Sequence, residues 1–178
     1  MRGFLENIRY AWKQRTTPYV DNIALKKRYL ESREMYNERM NSAFVHRTNN
    51  DPVKAFDELF TAVNWGDTSN LWERKAGLAK NINDNRDDLK GALIGTTTGY
   101  FTALGSSIPI ALEIYAKSLN AFSNFFFWAI LAVFGFGIYS GSYNQNRLRR
   151  LVKEHKDYTS ESEEIKGLLK RKKDIRIR

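Results

Sequence analysis

Apolar and polar positions along this chain fall into two regimes, and the change comes at Lys90. Before it, apolar residues recur every three or four positions among dense charge, the spacing of one helix face. After it, charge nearly vanishes. The twenty-two residues from Gly91 to Leu112 carry none, and after Lys117 the next charge is Arg147. Twenty-two helical residues are about 33 Å long, enough for a hydrocarbon core of about 30 Å. The pattern predicts an all-α membrane protein built on a two-span hairpin, with spans at about 91–115 and 121–142. No alternation of period two marks a strand.

Taken in order, residues 2–15 set Phe4, Leu5, Ile8, Ala11 and Trp12 on one face, with Arg2, Arg9, Lys13 and Arg15 around them. Two readings fit equally: a helix on an anionic membrane surface, or one packing on its neighbour. Thr16-Thr17-Pro18 ends it. Tyr19 to about Arg47 reads as a helix packed on one side, through Ile23, Leu30, Met40 and Phe44. Asn49-Asn50 marks a loop. Asp51 then caps a helix with Pro52 at its first position, whose apolar face is Val53, Phe56, Phe60 and Val63. Trp65-Gly66 is the expected stop. Asn70 and Glu73 take capping-box spacing for a further helix, through Leu71, Leu78, Ile82 and Leu89. Without proline before Pro109, that helix is expected to run into the first span as one rod. The N-terminal cytoplasmic region is thus 1–90, the hairpin 91–146, and a C-terminal basic helix 147–178.

Within the hairpin, Gly91, Gly95 and Gly99 form a GxxxGxxxG run, continued on one side by Thr98, Thr102, Ser106 and Pro109. Small residues four apart let another helix approach closely, a main source of helix association in lipid. Ile94, Phe101, Leu104, Ile108 and Tyr115 make the opposite, bulky side. Gly135, Gly137 and Gly141 in the second span offer a matching surface. The expected use of both is helix packing, within the hairpin or between copies. The competing use is a pore lined by Thr and Ser hydroxyls, which needs several copies. Glu113 is the hairpin's only acid and pairs by spacing with Lys117 at the interface. Asn120 and Asn124 fall in the connection, and Phe122 to Trp128 open the second span with aromatics. After Arg147 the apolar positions Leu148, Leu151, His155, Tyr158, Ser162, Ile165 and Leu169 step by three and four, an amphipathic, coiled-coil-like seam expected to meet a partner helix.

Charge sets the orientation. The chain's net charge is +9. Lysine and arginine against aspartate and glutamate number 16 and 13 before residue 91, one and one across 91–146, and 12 and 6 beyond. Lys80, Arg86 and Lys90 flank one span, and Arg147, Arg149, Arg150 and Lys153 the other, while Lys117 alone sits between. The positive-inside rule puts both termini in the cytoplasm or its organellar equivalent. The N-terminus lacks the apolar core of a secretory signal, so the first span is expected to be its own targeting signal.

Candidate chemistry is sparse. Without cysteine there is no disulfide, thiol nucleophile or thiolate metal site. His46 and His155 have no ligand-spaced partners, and GxxxxGK[ST], GxSxG and HExxH are absent. No catalytic, cofactor-binding or metal-binding residue is assigned, and an enzyme is not expected. The terminal KRKKDIRIR suits anionic headgroups better than nucleic acid, for which no fold signal accompanies it. The expected partners are the lipid bilayer and either further copies of the chain, as a homo-oligomer, or a larger membrane complex, with anionic lipid against the basic helices. The first functional reading is an integral membrane structural or interaction protein, its hairpin packing through Gly91, Gly95, Gly99, Gly135, Gly137 and Gly141 and its cytoplasmic helices docking partners. The alternative is an oligomeric pore, holin-like or effector-like, with Thr98, Thr102, Ser106 and Glu113 at the pore or interface. In layout, a helical cytoplasmic flank, two spans and a C-terminal helix, the chain resembles the SLATT-type two-span effector modules, and that resemblance implies membrane-associated defence activity.

Overall fold

The computed structural model describes residues 2–117 and 125–176, with side chains for 3–115 and 125–172. Among the described residues the structure is all-helical, without strands: α1 (Arg2–Thr16), α2 (Asn22–Thr48), α3 (Pro52–Lys117) and α4 (Phe125–Arg176). The expected rod is present, since α3 runs unbroken for 66 residues. Asn120 and Asn124, Phe122 and the Lys117 side chain lie outside the described residues.

Asp51 starts α3 as expected: its Oδ1 accepts the amide of Lys54 at 3.2 Å, the Lys54 ammonium lies 3.1 Å from its other oxygen, and the carboxyl is held below its ordinary pKa mainly by the backbone bond. Asn50 takes the left-handed turn conformation before it, φ 61°. Gly66, expected to end a helix, lies inside α3. A Cβ there would stand 3.1 Å from the Tyr36 ring, so this glycine lets α2 come close rather than stopping α3. The capping box at Asn70 and Glu73 has nothing to cap, because the helix is already under way.

The chain forms two compact units. One comprises Tyr19–Asn83 and Lys156–Arg178. In it α2 runs antiparallel to the first part of α3, tied at one end by Asn83, whose side chain donates to the Val20 carbonyl and accepts from its amide, both at 3.0 Å. At the other, one Nη of Arg39 reaches both oxygens of Glu58 at 3.1 Å. Small residues make the contact: Ala43, Ala62, Thr68, Ser69 and Ala76 are buried. The C-terminal part of α4 lies antiparallel on the same stretch, through Arg74–Glu161 and Lys172–Asp67. Val53, Phe56, Phe60 and Val63 share the other side of α3 and point out, Phe56 at 67% exposure. The alanine face, not this aromatic one, is what α2 covers.

The second unit comprises Met1–Pro18 and Asp84–His155. Its core gathers Ala11, Leu89, Ala92, Leu93, Leu148 and Leu151, with Ile8 and Tyr10 packed on it. The packing reading of α1 therefore holds for Ile8 and Ala11, while Leu5 and Trp12 remain exposed. One helix, α4, is long and apolar enough to cross a membrane, counted over Phe125–Lys172. The Gly91–Leu112 stretch of α3, rich in Gly, Thr and Ser, does not reach the same mean hydropathy.

Gly66 and Gly77 separate helix propensity from packing, since a Cβ at Gly77 meets nothing within 4 Å. Gly77→Ala is expected to raise stability by about 0.5–1 kcal/mol. Gly66→Leu gains the same propensity yet displaces Tyr36, and is expected to lower the thermal midpoint, both read by circular dichroism.

Candidate functional site

The candidate site is the crossing of α3 and α4 in the second unit, where side chains are smallest. Along α4 the least exposed positions step three and four from Phe127 through Phe134, Gly137, Gly141 and Leu148 to His155 and on to Ile165 and Leu169. On α3 the facing positions are Ala92, Thr96, Gly99, Ala103 and Ser106, all buried. Both follow from the 3.5-residue average repeat of helices lying side by side.

At the centre the contact is backbone on backbone. A Cβ built on Gly99 would fall against the amide nitrogen of Gly141, 2.7 Å from its Cα and 3.0 Å from the Gly137 carbonyl. One on Gly137 would lie 2.7 Å from the Ala103 nitrogen and 2.9 Å from the Gly99 carbonyl. No side chain fits there without moving a helix. Toward the charged flank at Lys90 and Arg147, the space over Gly95 is occupied by the Asn144 amide, which also donates to the Ser140 carbonyl at 2.9 Å. The Tyr100 ring covers Gly141, and its hydroxyl donates to Gln145 Oε1. Gly91 and Gly135, assigned to helix packing from spacing alone, meet nothing within 4 Å.

The hydroxyls divide in the same way. Thr96 and Ser106 are buried in the crossing and donate back to their own helix, to Ala92 O at 2.7 Å and Thr102 O at 2.8 Å. Each is satisfied without water. Thr98 points outward, Thr102 is half-buried, and Glu113 is half-buried near the end of α3. Thr96, Tyr100, Asn144 and Gln145 were not singled out from sequence. The signal was present: extending the step of three and four backward from Leu148 lands on Asn144, Gly141, Gly137 and Phe134.

Below the glycines the seam turns polar. His155 is fully buried, its ring edge-on to Tyr10 at 5.9 Å. Burial, with the Arg86 charge adding to it, holds its pKa below the ordinary 6.5. Arg86, 5% exposed, donates to the Arg15 carbonyl in the last turn of α1 at 3.5 Å. Asn85 donates to Glu154 at 3.4 Å, and Arg147 pairs with Asp88 at 2.6 Å. This layer ties α1, α3 and α4 together. Among the described residues no group of three or more His, Asp or Glu is placed to hold a metal.

Gly99→Leu and Gly137→Leu are each expected to cost at least the roughly 1–3 kcal/mol typical of overpacking, seen as a lower unfolding midpoint. Gly91→Leu and Gly135→Leu should leave that midpoint nearly unchanged. His155 supplies a pH test. Its folded pKa is depressed, so the unfolded chain takes the proton first, and the neutral ring's stability is present above about pH 6.5. That stability is lost as pH falls from there toward the folded value. Wild type should therefore lose more stability between pH 7.5 and 5.5 than His155→Leu, measured by thermal unfolding at each pH.

No protein-family model matches this chain, and neither does any curated protein or solved structure.

Proposed function

We propose that the chain is an integral membrane interaction protein: a two-span hairpin closed on its own glycines, carrying cytoplasmic helices that dock partner subunits. The observation that carries this reading is the sorting of side chains on α3 between residues 91 and 115. Gly99, Thr96, Ala103 and Ser106 face α4, while Ile94, Phe101, Leu104, Ile108 and Leu112 point outward, Phe101 at 73% exposure. An average over the stretch mixes the two and understates how apolar its outer surface is. The outer surface of α4 agrees, with Phe126, Val133, Phe136 and Ile138 exposed and only 17% of its apolar window buried. A belt of this kind around a tight pair is a lipid-facing surface, since soluble proteins rarely leave such areas open. The basic flanks Lys90, Arg147, Arg149 and Arg150 then favour cytoplasmic termini.

The inward hydroxyls favour a closed hairpin over a pore. Thr96 and Ser106 donate to carbonyls of their own helix in a crossing closed by backbone contact, so these two hydroxyls are not offered to a water-filled lumen. Docking falls to the outward row Val53, Phe56, Phe60 and Val63, of which Phe56 also lines a groove of about 390 Å³ with Met40, Phe44 and Leu59.

The test is extraction of membranes from expressing cells. The protein should stay in the pellet through high salt and alkaline carbonate and enter solution only with detergent, without ion leak during expression. Release by carbonate would sink the membrane reading. Leak abolished by Gly95→Leu would select the pore instead. Phe56→Ser/Phe60→Ser should leave insertion intact and remove co-purifying subunits.

A further inference from the structure

The first helix has a second face that the core does not use. Three contacts set how α1 lies on α3. Arg86 donates to the Arg15 carbonyl, Ala11 is buried with Leu89, Ala92 and Leu93, and the Phe4 ring meets Tyr100 edge-on at 6.1 Å. The two helices are therefore antiparallel, and the start of α1 points into the uncharged stretch. Trp12, next to Ala11, lies level with Leu89 to Ala92, where Lys90 and Arg147 end the charged flanks. Leu5, next to Phe4, lies on the Tyr100 side, seven residues or about 10 Å further into the uncharged stretch.

Leu5 and Trp12 are seven residues apart and so share a face, and they are 62% and 57% exposed. Arg9 lies between them on that face and Lys13 at its edge, both exposed. The Arg15 guanidinium stands over the Trp12 ring at 5.3 Å. Glu6 is the single acid on the helix, so the face is net positive. A tryptophan at the level where charge begins, a leucine below it, Arg9 between them and Lys13 on the charged side of the indole match one leaflet, from headgroup to acyl chain.

We propose that α1 is a leaflet anchor whose outer face, Leu5 and Trp12 with Arg9 and Lys13, binds anionic phospholipid at the cytoplasmic boundary of the hairpin. The proposal rests on the membrane reading above. Charge complementarity selects the lipid: Arg9 and Lys13 attract a phosphate headgroup bearing net negative charge over a zwitterionic one. Leu5 and the indole add apolar contact that a free phosphate ion cannot use.

The full chain in mild detergent is titrated with phosphatidylglycerol or phosphatidylcholine, and bound lipid is counted by native mass spectrometry. Phosphatidylglycerol should be retained at a lower concentration than phosphatidylcholine. Arg9→Gln/Lys13→Gln should weaken it about 25-fold, roughly five-fold per charge removed, and leave phosphatidylcholine unchanged. In vesicles, brominated phosphatidylglycerol should quench wild-type fluorescence more than that of Trp12→Phe. Equal retention of the two lipids, or retention indifferent to the double substitution, would overturn the anchor. So would a fall in oligomeric mass in Trp12→Phe with lipid retention intact, which would mean a second copy covers this face. A chain stripped from vesicles by carbonate would overturn the membrane reading itself. One that stays embedded without headgroup preference overturns the anchor alone.

Discussion

The unit built on the α3–α4 crossing depends on one contact, the backbone of Gly99 against the backbones of Gly137 and Gly141. Two helices approach this closely only where neither carries a side chain at the crossing. The gain is dispersion, spread over many atom pairs and individually small, and it grows as the axes draw together. Glycine inside a helix costs up to about 1 kcal/mol relative to alanine, so four of them at one crossing must be offset by what the approach allows. That includes burial of Thr96, Ala103 and Ser106 on one helix and Phe127 and Leu148 on the other. Widening the gap by one methyl group would loosen all of these together, because they share one pair of rigid rods.

The same contact explains why composition and surface disagree along α3. A helix that presents Gly, Ala, Thr and Ser to its partner must carry its bulk elsewhere, and Ile94, Phe101, Leu104 and Ile108 occupy the remaining arc. The polar atoms that small residues bring inward are disposed of locally. Thr96 and Ser106 return their protons to carbonyls one turn back, which needs neither water nor a partner from α4. A closely packed seam and an apolar exterior are thus two results of one arrangement.

What was legible in the sequence is what local rules decide. Asp51 and Pro52 start a helix whatever lies around them. The lack of proline before Pro109 allows a rod, and the step from Leu148 to Leu169 states which face of α4 is inward. Non-local placement decided the rest. Gly66 has the chemistry of a helix stop, but Tyr36 arrives from α2 and uses its missing side chain. Val53, Phe56 and Phe60 form the better apolar stripe, yet the alanine, threonine and serine side is the one α2 covers. In the GxxxGxxxG run, three glycines define a face only to within one helical step. Where Gly137 and Gly141 fall brings Gly95 and Gly99 into contact, turns Gly91 and Thr98 out, and draws in Thr96. His155 looked like a weak member of an apolar seam. Beside Tyr10 and Arg86 it is instead part of the layer where that seam becomes polar.

That layer answers a problem the glycines create. Repeated small residues four apart pack nearly as well after a slip of one turn, so a glycine seam alone specifies closeness better than register. Slipping α4 by four residues would bring Gly95 opposite Gly141 with little loss at the crossing. It would also drive the Asn144 amide out of the gap over Gly95, move Gln145 away from the Tyr100 hydroxyl and break Arg147 from Asp88. Glu154 would leave Asn85, and His155 would be carried away from Tyr10. Buried polar groups are costly when left without partners, which makes the contacts of Asn144, Gln145, Asn85 and His155 a penalty on the wrong register more than a bonus for the right one, while the exposed Arg147–Asp88 pair adds little. The division is physical: residues without side chains set how near the helices come, and residues with polar ones set where along each other they stop.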